Sequence, residues 1–579
     1  MSAVHEAPAT GPTRRSAEPE AAPAEPTAAL RLDRVAAWWH RHDTLVYAAF
    51  AAACTLYAAS LFYGYMMVQT GGVWSAPLDD VFIHFDYARS FARGYPFQWS
   101  EGNGYSSGNT SLLYPAVLAF GYWIGFRDLL LMVWAAAVAV ASIFAFLVFA
   151  GTIATESGHR WMRFFFPPAV LSIGALDWTL FSGMENAFHL GIWGLCLALV
   201  LQHRRAWLCG AACALLVATR PESVVCVAAF AIYTAWHARR QGLRRSAQLL
   251  IAVGAPGAVL LVLHGVANLL FTGEWSANGA IAKLFLNNPF MSAADMWERY
   301  VSLLSYIVPR LTQHHFSQHV PFGWLIPLVA LGPLFSRRLR PFGVLLWVQI
   351  LGWLLLVSLN NQVRWHNERY AMPAVAWLLV LAALGIGALL AAAVDTERRM
   401  TLWRVPAAIA LVALYWTMQA PRFQDQVWFF GRASRNILDQ HVTAGRLLKD
   451  LGVRRVLVGD AGALIYASDR PGLDLIGLGG YHAYPFARST VHGLGASLEL
   501  IERMPESERP DVMAIYPSWW GDLPHLFGEH LASVPVRGNV ICGGPEKVLY
   551  KADWSSMDRA GVPRSLRKGE RVTDELDVG

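Results

Sequence analysis

Apolar and polar residues follow one another along this chain in long blocks. Apolar runs cover roughly 43–66, 110–126, 128–152, 162–177, 183–201, 206–219, 222–236, 246–271, 321–336, 341–358, 368–393 and 402–419. A helix needs about 20 residues to cross the hydrocarbon core, so several of these runs are long enough and the others are marginal. The polar connections carry short basic clusters: His203-Arg204-Arg205, Arg239-Arg240, Arg244-Arg245, Arg337-Arg338 with Arg340, and Arg398-Arg399. Such clusters beside spans mark cytoplasmic loops. That assignment sends the segment after Leu78, the loop from Gly183 to Glu185, the stretches 272–320 and 359–367, and everything beyond 420 to the outer side. An even number of crossings would return the C-terminus to the side on which the chain began. Residues 110–126, which contain Pro115, are therefore expected not to cross, giving about 11 spans, whereas one missed helix would give about 13.

The flanks read differently. Residues 1–42 are rich in Ala, Pro, Glu and Thr without an apolar period or the apolar core of a signal peptide, which predicts a disordered cytoplasmic arm. The transmembrane domain is expected over 43–419, with an outer loop at 67–110. From about 420 the apolar density falls and the periods shorten. Arg455 to Val458 reads as a strand, Gly459 to Ala467 as a turn and helix, and Asp511 to Tyr516 as a further strand. Together they predict a small α/β domain over 420–562 outside the membrane, followed by a solvated tail at 563–579.

Composition agrees with a lipid-embedded chain. Charged residues make up 15% and apolar residues 55%, where a soluble domain has about a quarter charged. The 24 tryptophans and 19 tyrosines suit the membrane–water interface. A net charge of +6 does not point to nucleic acid, because the arginines lie in the short loop clusters. Cys54, Cys196, Cys209, Cys213 and Cys226 sit in apolar runs and Cys542 lies in the soluble part, which argues against a disulfide framework or a cysteine metal cluster.

The chemistry-bearing residues follow the first span. In Pro77-Leu78-Asp79-Asp80-Val81-Phe82-Ile83-His84-Phe85-Asp86-Tyr87-Ala88-Arg89-Ser90-Phe91, Val81, Phe85 and Ala88 recur at helical spacing with Asp86, Arg89 and Ser90 opposite. The pattern predicts a helix lying along the membrane surface with two carboxylates, Asp79 and Asp80, at its head. A carboxylate at the edge of a low-dielectric phase can serve as a general base; the same pair can also simply cap the helix. His84, four residues beyond Asp80, shares its face and can orient it or bind phosphate. A Gly/Ser/Asn loop with Tyr105 follows from Glu101 to Thr110 and runs into the next apolar stretch.

An Asp-Asp pair after the first span, a Tyr-Ala-Arg helix and a Gly-Tyr-Ser loop resemble bacterial GT-C glycosyltransferases, above all the terminal arabinofuranosyltransferases of actinobacterial cell walls and their uncharacterised relatives. Further stretches in the same order extend the resemblance over about 45–480: Ser182-Gly183-Met184-Glu185-Asn186, Thr219-Arg220-Pro221-Glu222, Asn278-Gly279-Ala280-Ile281-Ala282-Lys283, Arg369-Tyr370-Ala371-Met372-Pro373 and Gly459-Asp460-Ala461-Gly462-Ala463. The lead into Lys283 is Ser276-Ala277-Asn278 where that family usually has Pro-Asn-Thr.

The resemblance implies a polytopic GT-C fold and transfer of a sugar, with inversion, from a polyprenyl-phosphate donor to an envelope glycan or lipid acceptor. It puts Asp79 first as general base, with Asp80 positioning it or the acceptor. A lipid phosphate needs cations near the membrane surface, and Lys283, Arg364, His366 and Arg369 lie in outer segments. Arg364 and Arg369 can equally be interfacial anchors. Arg220 with Glu222, and Glu185, are read as structural pairs or acceptor contacts, and Asp460 as a turn residue or acceptor contact at a strand end. No metal is required, although two carboxylates can hold Mg²⁺ or Ca²⁺. His314-His315 and His319 lack the spacing of a zinc site. Two other classes remain open. A glycan ligase would rely on Arg364, His366 and Arg369, and a transporter or flippase would show internal repeats.

Overall fold

The computed structural model describes residues 28–109, 111–157, 160–316, 322–392, 401–555 and 557. The expected arm up to residue 27, Thr110, Arg398-Arg399, His319 and the tail expected at 563–579 lie outside the described residues. Disorder does not extend to residue 42, because one helix runs Ala28–Gln69. Its first turns are rich in Ala, Leu and Arg, all good helix formers.

Among the described residues five helices are long and apolar enough to cross a membrane: His42–Gln69, Asp128–Ile153, Leu243–Thr272, Arg340–Val357 and Met372–Leu389. These are fewer than the expected 11 to 13 or so, because several apolar runs form helices too short to span. The pair Arg163–Val170 and Gly174–Phe181, bent by 78°, would make a sixth. Asn186–Leu201, Ala206–Thr219 and Leu325–Phe335 are shorter apolar helices. The run at 110–126 forms only the helix Tyr114–Trp123. Its ten residues reach roughly 15 Å, half the hydrocarbon thickness, so it does not cross. Met372–Leu389 is 78% buried and forms the axis of the bundle, whereas Leu243–Thr272 is 17% buried and faces outward. At the axis Gly385 is required by close packing, since a Cβ there would meet the Val329 carbonyl at 1.9 Å.

No chain break falls at 420. A single helix, Thr401–Ile437, runs through that position and continues through a π turn, Leu438–Val442, into the helix Thr443–Asp450. The expected strands appear as β1 (Val456–Val458) and β3 (Val512–Ile515), joined by β2 (Gly472–Asp474), β4 (Gly528–Pro535) and β5 (Glu546–Ala552). The sheet order is β2-β1-β3-β5-β4. β1 pairs parallel to β2 (Val456 opposite Gly472) and to β3 (Val456 opposite Val512), while β5 runs antiparallel between β3 and β4. The strands β1, β2 and β3 are buried at every position, as expected for strands covered on both faces, β2 included although it is an edge strand.

The helix after the first span runs Asp80–Ala92, but it does not lie on an open surface. Every residue from Val81 to Ser90 is buried. The face expected to meet water packs beneath the α/β region, with Asp86 paired to Arg89 at 2.6 Å and Arg89 donating to the Tyr466 carbonyl at 2.7 Å. The Gly/Ser/Asn loop is clamped from the same side. Asn103 donates to the Gly472 carbonyl at 2.8 Å and Ser106 to the Leu478 carbonyl at 3.0 Å. A Cβ at Gly108 would come within 1.6 Å of the Leu478 carbonyl oxygen, so only glycine lets the two backbones meet.

Candidate active site

The two adjacent carboxylates face different places. The backbone at Asp79 is already helical and its side chain makes no capping bond. It points instead into the junction with the α/β region, where its Oδ1 accepts the Ala463 N–H at 2.7 Å and lies 2.7 Å from His441 Nδ1. The other ring nitrogen of His441 lies 2.8 Å from the Tyr516 hydroxyl, which donates to Gln440 at 2.6 Å. Asp460 completes the cluster, since single ligand-type atoms of Asp79, His441 and Asp460 lie within 4.8 Å of one another. The buried Lys547 ammonium sits 3.6 Å from Asp460 and 3.6 Å from the centre of the Tyr516 ring.

Burial dominates the electrostatics of this cluster. It pushes Asp79 up from the ordinary carboxylate range. Burial and the charge of Asp79 push Asp460 up to about 7, while burial, helped by Lys547, pushes His441 down to about 3. Asp, His and Asp are a donor set of the type that holds a divalent cation, but Lys547 already supplies a positive charge there.

Asp80 turns the other way, with Ile83 and His84, onto a cavity of about 440 Å³. These are the i, i+3 and i+4 positions of one helical face. Arg369 pairs with Asp80 and also donates to the Tyr370 hydroxyl at 3.2 Å. Lys283, at the end of the short helix Asn278–Lys283, lines the same cavity and has no hydrogen bond or ion pair among the described residues. Nη1 of Arg369 is buried and likewise has no partner. Burial pushes Asp80 up, but Arg369, Lys283 and His366 outweigh it and hold the carboxyl well below its usual range. His366 is itself pushed down to about 3 by burial and Arg369.

Arg369 is carried by an unusual turn. His366, Asn367 and Glu368 all have left-handed backbone, at φ 51°, 60° and 51°. Side chains rarely tolerate this conformation, and consecutive residues in it need outside support. Glu368 supplies that support, accepting from Tyr306 at 2.6 Å and pairing with Arg310 at 2.8 Å and His315 at 3.2 Å. His315 is therefore a partner of a carboxylate, and His314 lies 2.8 Å from Arg422.

Deeper in the cavity, Glu185 lies 3.1 Å from His84 and 3.3 Å from Arg220, which also reaches Glu222 at 3.3 Å and Asn186 at 2.8 Å. The remaining wall is apolar where Leu261, Leu356, Val357 and Leu359 line it. Asp80, His84, Glu185, Arg220, Glu222, Lys283 and Arg369 thus meet in one place. Asp79 and Asp460 meet elsewhere. Tyr105 donates to Asn268 at 2.6 Å and ties the loop to the Leu243–Thr272 helix. Arg364 departs from the expected phosphate group, since it is exposed, stacks on Tyr306 at 4.8 Å and donates to Ser302.

Sequence reading missed His441, Lys547 and Glu368, which carry no local signal, and gave no role to Tyr370 although it stands beside Arg369 in a quoted stretch. It also missed His264 and Asn268, which line the cavity and were detectable as a polar pair four residues apart in an apolar span.

The arrangement of the bundle, the buried helix after its first span and the capping α/β region is the GT-C fold of membrane proteins. Among solved structures the chain is similar to ArnT from Cupriavidus metallidurans bound to undecaprenyl phosphate, with a TM-score of 0.53 and 12% identity over 86% of this chain and 98% of that one. The apo state of the same protein gives 0.52 and 14% over 86% and 97%. Residues 435–573 match the family described as domain of unknown function (DUF8728). No curated protein matches the sequence.

Proposed function

We propose that this protein is a membrane glycosyltransferase that moves a sugar from a polyprenyl-phosphate donor to a hydroxyl of an envelope glycan or lipid. The observation that carries this reading is one cavity with an apolar wall that brings together an unpaired ammonium at Lys283, an unpartnered Nη1 at Arg369 and the carboxylate of Asp80. The two cations suit a lipid phosphate, which they would hold by charge-assisted hydrogen bonds, and the wall suits its isoprenoid chain. ArnT, whose fold this chain shares, was crystallised with undecaprenyl phosphate.

In this reading Asp80 is the general base. It removes the proton of the acceptor hydroxyl as that oxygen attacks the anomeric carbon from the face opposite the phosphate. Inversion follows, and the lipid phosphate leaves against Lys283 and Arg369. Binding of the donor also readies the base. The phosphate draws Arg369 and Lys283 toward itself and adds negative charge, so the two larger of the three influences that hold Asp80 low weaken together and its affinity for a proton rises. The enzyme lies in the plasma membrane with its N-terminus in the cytoplasm and the α/β region outside, and the reaction needs no metal. The glycan-ligase alternative leaned on Arg364 acting with His366 and Arg369, and the exposed position of Arg364 favours a monophosphate donor.

The test is transfer by purified protein from radiolabelled polyprenyl-phosphate sugars to a crude envelope acceptor, with and without chelator. Asp80→Asn should lower the rate by about 10² to 10⁴, whereas Asp79→Asn should retain activity within about tenfold. Full activity in Asp80→Asn would refute the mechanism, and loss on chelation would refute the metal-free reading.

A further inference from the structure

One part of the cavity is not used by phosphate binding or proton removal. His84 stands about one helical turn beyond Asp80, about 6 Å along the helix. Around it Glu185, Arg220 and Glu222 form an ion-paired set, and Asn109 closes the side formed by the Gly/Ser/Asn loop. All but Glu222 are more than nine-tenths buried.

Ion pairing does not satisfy these groups. Nδ1 of His84, Nδ2 of Asn109, Nε of Arg220 and Oε2 of Glu222 are all buried without a hydrogen-bond partner. A buried polar group left unpaired costs about 1–3 kcal/mol, and here four such groups, donors and an acceptor together, belong to residues that line one cavity. The Asn109 side chain shows the division, since its Oδ1 caps Ser111 N–H at 3.1 Å while its amide nitrogen is left unused.

We infer that Asn109, His84, Glu222 and the Arg220–Glu185 pair form the subsite that recognises the hydroxyl groups of a single neutral sugar, the one carried by the lipid phosphate. The inference rests on the donor reading above. Hydroxyls donate to Glu222 and accept from Asn109 and Arg220. The set holds two carboxylates against one guanidinium, and with Lys283 and Arg369 engaged by the phosphate a uronic acid would bring a third carboxylate beside them. One helical turn between Asp80 and His84 matches the width of one sugar ring. The same chemistry could serve an acceptor sugar, and the experiment separates the two sources.

The experiment measures binding of the full-length protein in detergent to bare polyprenyl phosphate and to polyprenyl phosphates carrying a neutral pentose, a neutral hexose or a uronic acid. The wild type should bind one neutral glycolipid at least about tenfold more tightly than the bare lipid. Glu222→Gln keeps the shape of the side chain, and Asn109→Ser keeps a short oxygen to cap Ser111. Each should reduce that preference by about tenfold while the affinity for bare lipid stays within about twofold. Equal losses for both lipids would show a structural network and overturn the inference. So would unchanged binding of both, tightest binding of the uronic acid lipid, or a loss seen only in the acceptor KM. Failure of the wild type to bind any of the lipids would instead remove the donor reading itself, and this subsite with it.

Discussion

Asp79 and Asp80 are joined by one peptide bond and sit in two different environments. Asp80 lines a cavity beside cations that hold it charged, with 24% of its side chain exposed. Asp79 is shut into a junction with a second carboxylate and a neutral imidazole, where burial holds the acids toward their protonated forms. Residue type does not set the role of a carboxylate; the helix face it occupies does. The first helical turn sends one acid to the cavity and the other to the joint between membrane bundle and α/β region.

The division can be broken most forcefully by truncating both. Asp79→Ala leaves the Ala463 N–H and His441 without their acceptor in a dry site, and removing one member of a buried set of this kind costs about 3–5 kcal/mol. The melting temperature of the purified protein should fall by several degrees. Asp80→Ala leaves Arg369 with the Tyr370 hydroxyl and an open cavity that water can enter, so its stability should change by only about 1 kcal/mol while activity is lost. Equal destabilisation by the two variants would mean that the cavity and the junction are one structural unit.

A sharper probe of the cavity is Lys283→Ala. The ammonium has no internal partner among the described residues, so its loss should leave folding intact. A charge-assisted hydrogen bond to phosphate is worth roughly 1.5–3 kcal/mol. Affinity for bare polyprenyl phosphate should therefore fall by about ten- to a hundredfold, with no change in melting temperature. Unchanged lipid affinity would place the phosphate elsewhere.

The sequence carried the cavity better than the junction. The longest spans, the helix beginning at the acid pair, the strands at 456 and 512 and the shared face of Asp80 and His84 all follow from local periodicity, because each depends on near neighbours in the chain. The partners of Asp79 could not be read in this way. His441 lies 362 residues from Asp79 and Ala463 lies 384, and nothing local marks either as a contact. For the same reason the surface helix was expected to face water: an Asp86, Arg89 and Ser90 face looks solvated until a distant region covers it. Glu368 was hidden for a different reason. Its role is to hold a left-handed turn, and no glycine there announces the turn.

The smallest expected effect separates the charges inside the junction. Asp460 is raised to about 7 in the folded state, so its contribution to stability is full below its unfolded value and is lost as the pH rises through about 7. His441 is lowered to about 3, so its contribution is present above its unfolded value, near 6.5, and is lost as the pH falls through about 3. Between about 4 and 6.5 the two slopes oppose each other, and the wild-type junction should be nearly indifferent to pH there. Replacing His441 with Gln keeps an amide donor for Asp79 and removes one slope. The variant should then lose a few degrees of melting temperature between about pH 4 and pH 7, the window between the unfolded and folded values of Asp460. A variant as flat as the wild type would show that the acids of the junction are already charged, and that Lys547 rather than a retained proton keeps Asp79 and Asp460 together.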